Sequence, residues 1–333
     1  MIANTFPIDI VIAWVDGSDP VLNKKRMGFL NLKKKEIPPG AQPTRFHSLN
    51  EVTYCVLSIL KFAPFIRKIF IVTDNQDPQV SQVVQQYYPN RVSDLRIVDH
   101  TEIFEGYEDF LPTFNSICIS NMLWRIKGLS DQFVYFNDDI FLVRPVSPSV
   151  WFRKGKPVLR GRWALPPYER ILWDGFKAFV HNRLLSQNKE RVASFQINQW
   201  TAARLQGFRW RYFRSGHTPL ALDKKRLGTY FKSHPKRLKE NIKHRFRNYT
   251  QFNTVALANH LEYKSGNRNF APSQAVYMQP HNRGEDYVNQ KFEKCIADEQ
   301  IKFLCVQSLD LATKADQDNV LNKMNQLLEI QLK

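Results

Sequence analysis

Four times in the first 140 residues, a short run of β-branched and aromatic residues stops at an aspartate. Ile8-Asp9-Ile10-Val11-Ile12-Ala13-Trp14-Val15 precedes Asp16, Lys68-Ile69-Phe70-Ile71-Val72 leads to Asp74, and Leu95-Arg96-Ile97-Val98 meets Asp99. Phe133-Val134-Tyr135-Phe136 runs into Asn137-Asp138-Asp139. Such runs fit a pleated, buried surface and read as strands. Between them the spacing turns helical. Asp19 and Pro20 supply a cap and a first residue for a basic helix. Leu49, Val52, Cys55, Val56, Ile59 and Leu60 mark the buried stripe of a second helix over Ser48–Lys61, with Ser48 and Glu51 as a capping box. A further helix is expected near Asn115–Ile126. Strand and helix in alternation predict an α/β fold with a mostly parallel sheet flanked by helices. In such a sheet all four acidic ends share one edge, where open α/β sheets collect ligands. One polar strand end is unremarkable, but four imply a nucleotide-binding crevice.

The chemistry of those ends can be read residue by residue. Asp138 and Asp139 are adjacent carboxylates at a strand end, and aspartate oxygens suit a hard divalent cation that carries substrate phosphates. A tight turn would also use Asn137 and Asp138, with no ligand at all. Gly17 beside Asp16 lets backbone amides approach a phosphate, while an ordinary strand-to-helix loop explains the same residues. With Asp19 and Pro20 committed to the helix start, Asp16 is left over for chemistry.

Length and charge bound the rest. The 333 residues, 43% of them hydrophobic, can bury a sizeable core in one large domain or two closely joined ones. No window is apolar enough to span a membrane and no leader is evident, so a cytoplasmic protein is expected. Cys55, Cys118, Cys295 and Cys305 show no metal or disulfide spacing, which fits a reducing compartment. The formal net charge of +17 implies an anionic partner: nucleic acid, an acidic leaflet or phosphorylated substrates. Lys24, Lys25, Arg26 and Lys33, Lys34, Lys35 form one basic cluster, and Lys232 to Arg247 another. Both also read as solvated helix faces.

The second half is less periodic. From about Val146 to Ser215 it is rich in Trp, Arg and Phe, and Trp151, Trp163, Trp173, Trp200 and Trp210 could stack on sugar or base rings or simply fill a core. His217, following Arg214-Ser215-Gly216, and His244, beside Arg245 and Arg247, suit phosphoryl chemistry, since Arg pairs with phosphate oxygens and His titrates near neutrality. A nucleic-acid patch or a solvated helix end accounts for them equally well. Ile301 to Val306 reads as a further strand, and Val320, Leu321, Met324, Leu327 and Leu328 as a terminal helix packed on the core.

Several of these stretches carry a resemblance. Ile8-Asp9-Ile10-Val11 through Trp14-Val15-Asp16-Gly17-Ser18-Asp19-Pro20 resembles the first block of the Stealth family. Arg45-Phe46, Asn50-Glu51, Ala63-Pro64, Ile69 to Gln76, Pro112-Thr113-Phe114-Asn115-Ser116 and Phe136-Asn137-Asp138-Asp139 together are similar to its second. Arg214 to Pro219 with Leu222-Asp223-Lys224, and Lys243 to Asn248, look like its third. The last block departs: Gln307-Ser308 stand where the family has an Asn-Asp pair, so no role carries over there. The family includes bacterial capsular polysaccharide phosphotransferases and the enzyme that adds N-acetylglucosamine-1-phosphate to lysosomal glycoproteins.

The resemblance implies a transferase that moves a hexose-1-phosphate or N-acetylhexosamine-1-phosphate from a UDP-sugar donor to a sugar hydroxyl, releasing UMP. The acceptor would be a capsular or cell-wall polysaccharide or a lipid-linked oligosaccharide. The expected fold is Rossmann-like or GT-A-like with an inserted aromatic-rich subdomain: residues 1–145 bind the nucleotide sugar, 146–215 shape the acceptor site, 216–310 complete the active site and 311–333 form a helix. Asp138 and Asp139 would hold Mg²⁺ or Mn²⁺, and Arg245 and Arg247 would clamp phosphate oxygens. His217 or His244 would handle the acceptor or leaving-group proton. Asp16 and Asp74 are candidates for base or nucleotide contact, and Asn75, Thr113, Asn115, Ser116 and Arg45 for substrate. The positive charge could hold the protein at the inner face of an anionic membrane. Two rivals remain: a metal-dependent glycosyltransferase releasing UDP, and a non-catalytic nucleic-acid binder. The second gives no reason for acidic strand ends, where nucleic-acid phosphates would be repelled, so no nucleic-acid partner is expected.

Overall fold

The computed structural model describes residues 6–30, 49–184 and 194–332. The first part runs β1 (Ile8–Ala13), α1 (Pro20–Phe29), α2 (Glu51–Phe62), β2 (Ile69–Thr73), α3 (Val80–Tyr87), β3 (Leu95–Asp99), α4 (His100–Ile103), α5 (Ser116–Met122), β4 (Gln132–Asn137) and β5 (Ile140–Leu142). A region of short pieces follows: β6 (Phe152–Arg153), β7 (Lys156–Pro157), β8 (Leu159–Arg160), β9 (Arg162–Ala164), α6 (Tyr168–Leu184), α7 (Phe195–Leu205) and β10 (Tyr212–Arg214). The chain then forms β11 (Leu220–Asp223), α8 (Lys224–Ser233), α9 (Pro235–Ile242), α10 (Thr254–Lys264), β12 (Phe270–Ala271), β13 (Ala275–Met278), α11 (Tyr287–Ala297), β14 (Phe303–Val306) and α12 (Lys314–Leu328).

The central sheet has the order β11-β4-β1-β2-β3. β1 pairs in parallel with β4 and with β2, β2 pairs in parallel with β3, and β11 closes one edge antiparallel to β4. The register puts Ala13 level with both Asn137 and Val72, so the strands end together. This is the mostly parallel α/β sheet that the alternation of elements predicts. Successive side chains of a strand point to opposite faces, so a continuous apolar run feeds two cores. Ile8, Ile10, Ile12, Ile69, Ile71, Val134 and Phe136 pack into one layer with α2 and α12. Val11, Phe70, Val72, Val98, Phe133 and Tyr135 pack into the other with α5 and α8–α10. Asp9 is fully buried at the start of β1; its carboxylate receives Arg67 Nε at 2.9 Å, Arg67 Nη2 at 2.5 Å and the Ser130 amide at 2.7 Å.

Two local details differ from a plain reading of the sequence. The run from Phe133 to Leu142 is two strands in two sheets. β4 belongs to the central sheet, whereas β5 pairs antiparallel with β14, which pairs in parallel with β13. Asn137-Asp138-Asp139 is therefore the corner where the chain leaves one sheet for another. Secondly, the aromatic-rich stretch contains two helices, α6 and α7, where no helical period was evident. Asp19 caps α1 as expected, accepting the Leu22 amide at 2.7 Å. Glu51 accepts the Leu49 amide at 2.5 Å at the start of α2. Ser48, Lys33, Lys34, Lys35 and Arg45 lie outside the described residues.

Candidate functional site

A cavity of about 570 Å³ opens at the carboxyl edge of the sheet. Its lining comes from the residues after β1 (Ala13 to Val15), the approach to α5 (Thr113 to Ser116), the β4–β5 corner (Asn137 to Asp139), the approach to β11 (Ser215 to Thr218), Arg247, and the turn after β14 (Gln307 to Leu311). Segments separated by hundreds of residues meet here because the parallel strands all stop on this side.

The floor is acidic. Asp138 and Asp139 sit together, and burial followed by their mutual repulsion and the neighbouring Glu51 raises the Asp138 carboxyl well above its usual range. Asp139 is pushed up to about 7, chiefly by burial and then by Glu51. The second sheet fixes its position: the Val306 amide donates to the Asp139 carbonyl at 2.9 Å, and Cys305 Sγ lies 3.8 Å from Oδ2. Asp139 Oδ1 is buried with no hydrogen-bond partner. Buried polar atoms are ordinarily satisfied. A buried carboxylate oxygen without a donor, beside a second carboxylate, has the chemistry of a half-built cation site. Among the described residues no group of three or more His, Cys, Asp or Glu gathers as a metal cage.

The opposite wall is basic. Arg247 Nη2 donates to Ser116 Oγ at 2.6 Å. Its charge reaches Asp139, Tyr135 and His217. His217 lies between two rings, Phe195 at 5.3 Å and Tyr277 at 5.2 Å between centroids. Burial, and then the Arg247 charge, lower the His217 pKa. This imidazole is therefore neutral at pH 7 and able to accept a proton. Asn115 lines the cavity too, but its side chain is occupied. It caps α5 through the Ile117 amide at 3.1 Å and donates to the His244 carbonyl at 3.1 Å and Gln251 Oε1 at 2.9 Å.

Of the residues expected from the sequence, Thr113, Asn115, Ser116, Asp138, Asp139, His217 and Arg247 line this one cavity. The side chains of five others do not. Asp16 Oδ1 accepts the Ser18 amide and hydroxyl at 2.8 and 2.7 Å, holding the turn after β1. Asp74 pairs with Lys25 Nζ at 3.1 Å. Asn75 stands in the left-handed region at φ 52, its amide donating to Asp99 Oδ2 at 2.6 Å. His244 lies 3.4 Å from the Thr250 hydroxyl. Arg245 donates to the Pro112 carbonyl at 2.6 Å and the Asp109 carbonyl at 3.0 Å, and its guanidinium sits over the Phe29 ring.

Four lining residues carried no role in the sequence. Glu51, read as a helix cap, supplies a third carboxylate. His100 is buried at the base of the cavity, its pKa lowered to about 4 chiefly by burial. Its only signal was its place directly after Asp99 at a strand end. Thr218 Oγ1 is buried and unpartnered beside His217, and Gln307 accepts the Tyr277 hydroxyl.

Comparison with known proteins finds two family models that match parts of the chain. Residues 6–31 match Stealth protein conserved region 1, and residues 45–158 match conserved region 2. Together these two Stealth regions span under half of the chain. The matched regions contain Asp138 and Asp139; His217 and Arg247 lie beyond them. A capsular polysaccharide phosphotransferase of Haemophilus influenzae is 40% identical over 147 residues, which are 44% of this chain and 38% of that protein. An exopolysaccharide phosphotransferase of Streptomyces coelicolor is 41% identical over 149 residues, 44% of this chain and 25% of that protein. The chain thus matches well under half the length of these relatives. Among solved structures, the galactosyltransferase LgtC with donor and acceptor sugar analogues aligns with a TM-score of 0.43 at 12% identity, over 98% of this chain and 97% of that one.

Proposed function

We propose that this chain transfers a sugar-1-phosphate from a UDP-sugar to a hydroxyl of a capsular or cell-wall glycan, or of its lipid-linked precursor, and releases UMP. The observation that carries the reading is one cavity with a half-buried carboxylate pair on its floor and a neutral histidine and an arginine on its walls. The phosphotransferase names of the relatives support it.

In this reading the acceptor hydroxyl oxygen bonds to the β-phosphorus of the donor. The bond between that phosphorus and the oxygen bridging to the α-phosphorus breaks, and UMP departs with that oxygen. The sugar's anomeric C–O bond stays intact, so the product is a sugar–phosphate–sugar diester. His217, uncharged because it is buried beside Arg247, takes the hydroxyl proton. Arg247, steadied by Ser116, faces the phosphate oxygens, where fixed positive charge stabilises developing negative charge. Asp138 and Asp139 would hold Mg²⁺ or Mn²⁺, which when bound neutralises diphosphate charge. A cation of this kind typically takes one or two carboxylates with substrate phosphates and waters, so the pair suffices without a closed protein cage.

The test is incubation of the purified protein with a panel of UDP-hexoses and UDP-N-acetylhexosamines, followed by ³¹P NMR and nucleotide analysis. A phosphodiester resonance in the product with stoichiometric UMP is expected. UDP release with no phosphorus in the product overturns the reading in favour of a glycosyltransferase, and salt-steep RNA or DNA binding without turnover overturns it in favour of a nucleic-acid binder.

A further inference from the structure

The surface of α6 is unusual for a water-facing helix. Tyr168, Leu172, Phe176 and Phe179 recur at helical spacing on one face and are all exposed, Leu172 at 72%. Trp173 is exposed beside them and stacks on Phe176 with 6.2 Å between ring centroids. Leu165, just before the helix, is 81% exposed. The helix is anchored through Ile171, which packs against the cluster of Trp200, Ala203 and Tyr212, and at its start through Tyr168, whose ring lies 6.3 Å from that of Trp200. Monomeric soluble proteins rarely expose apolar surface in one contiguous patch without a partner.

Charge says what the partner is. Residues 151–215 hold fourteen Lys and Arg against three Asp and Glu, so a fifth of the chain carries most of its net charge of +17. The same stretch holds eight of the eighteen large hydrophobic residues exposed among the described residues. The two properties meet at the start of α6. The Tyr168 hydroxyl donates to the Arg209 carbonyl at 3.3 Å, placing the exposed tip Arg209-Trp210-Arg211 against the helix. Lys177 Nζ sits 5.0 Å from the Trp173 ring centre, its ammonium at the edge of the apolar face. Leucine and phenylalanine on one face, tryptophan at its margin and basic groups around it describe a helix lying in a membrane interface. A polyanionic glycan would account for the arginines and tryptophans, but gives no reason to leave Leu165 and Leu172 in water.

We infer that α6 and the Arg209–Arg211 tip form a surface that docks on an anionic lipid bilayer, with the apolar face in the headgroup layer and the arginines on lipid phosphates. The surface is one helix away from the cavity. α7 carries Phe195 and Asn198 on the cavity and Trp200 and Ala203 on the cluster that anchors α6. A bound membrane therefore lies close to where a lipid-linked acceptor would enter. Docking does not depend on the proposed chemistry and is measured without substrate.

The experiment is co-sedimentation of the full chain with phosphatidylcholine vesicles, with and without about one third phosphatidylglycerol. Binding to the anionic vesicles is expected. Leu172→Ser with Phe176→Ser should weaken it about tenfold or more, and Lys177→Glu with Arg209→Glu comparably, at unchanged melting temperature. Brominated acyl chains should quench wild-type tryptophan fluorescence more than that of Trp173→Phe, a substitution mild enough to leave the fold intact. Absent vesicle binding, equal quenching in Trp173→Phe, or unweakened binding by the serine variant overturns the inference. So does a dimer that the serine substitutions dissolve, which would make a second copy the occupant, or capture by an anionic polysaccharide in place of vesicles.

Discussion

Arg245 and Arg247 stand two positions apart and their guanidinium groups donate to different segments. Arg245 spends both arms on the Pro112 and Asp109 carbonyls, whereas Arg247 reaches Ser116 at the cavity wall. Arg247→Lys keeps the charge but loses the planar fork that matches phosphate. UMP release should fall about 100-fold with little change in melting temperature. Arg245→Lys should do the reverse, lowering stability by about 1–3 kcal/mol through the loss of hydrogen bonds from a charged donor while sparing turnover. Steady-state kinetics and thermal melting on both variants check the pair. At Asp138 the two readouts should move in opposite directions. Asp138→Asn should lower UMP release by about 100-fold or more. It also removes one of two repelling, half-buried carboxylates, so the variant should melt higher than wild type in chelator. Added Mg²⁺ should raise the wild-type melting temperature and leave the variant unmoved. Asp138, Asp139, His217 and Arg247 stood out in the sequence and share one cavity, whereas Asp16, Asp74, His244 and Arg245 stood out equally and spend their side chains elsewhere. Glu51, His100 and Thr218 did not stand out: their place on the cavity depends on neighbours brought from other elements, and nothing local separates a cavity-lining Glu51 from a helix cap.

Elements explain why the corner after β4 is acidic and rigid. β4 must stop level with β1, and β5 must start three residues later in another sheet, so Asp138 and Asp139 are pinned from both sides by paired strands. The alternation of strands and helices made the central sheet readable. A corner between sheets leaves no such trace, because both strands present the same β-rich composition. α6 and α7 were illegible for a different reason. A hydrophobic stripe signals a helix when it faces a core, and the apolar residues of α6 are mixed with charged ones and point outward. The same region turns on Gly161, whose φ of 149 favours glycine and whose added Cβ would come within 2.3 Å of the Arg214 carbonyl oxygen. That atom is backbone and is held by the β9–β10 pairing. Gly161→Ala should therefore destabilise the protein by more than about 2 kcal/mol, read as a lowered urea midpoint at unchanged m-value.

At the scale of the whole molecule, stability should fall in acid through buried imidazoles rather than through the acidic cavity. His260 is fully buried in α10, and its tautomer is fixed by its partners. The Ala256 carbonyl can only accept, so Nδ1 carries the proton at 2.6 Å, and the Phe213 amide can only donate, so Nε2 is bare at 3.0 Å. Burial lowers its pKa from 6.5 to about 4. The unfolded chain therefore binds this proton first as the pH drops, and the stabilisation, fully present above 6.5, is lost between 6.5 and about 4. The contribution is at most about 3 kcal/mol. His100 acts in the same sense and over the same window. Asp139 acts oppositely without a bound cation: raised to about 7, it favours the fold at low pH and loses that contribution as the pH climbs. The wild-type profile is a sum of opposing slopes, and the informative quantity is its difference from His260→Gln. Urea titrations at pH 7.5, 6, 5 and 4.5 should show wild type ahead at neutral pH because it keeps its packing against Phe208 and Trp163. That lead should shrink steadily through the acid window. A constant difference at every pH would mean that His260 charges inside the fold, and that the two hydrogen bonds do not hold it neutral.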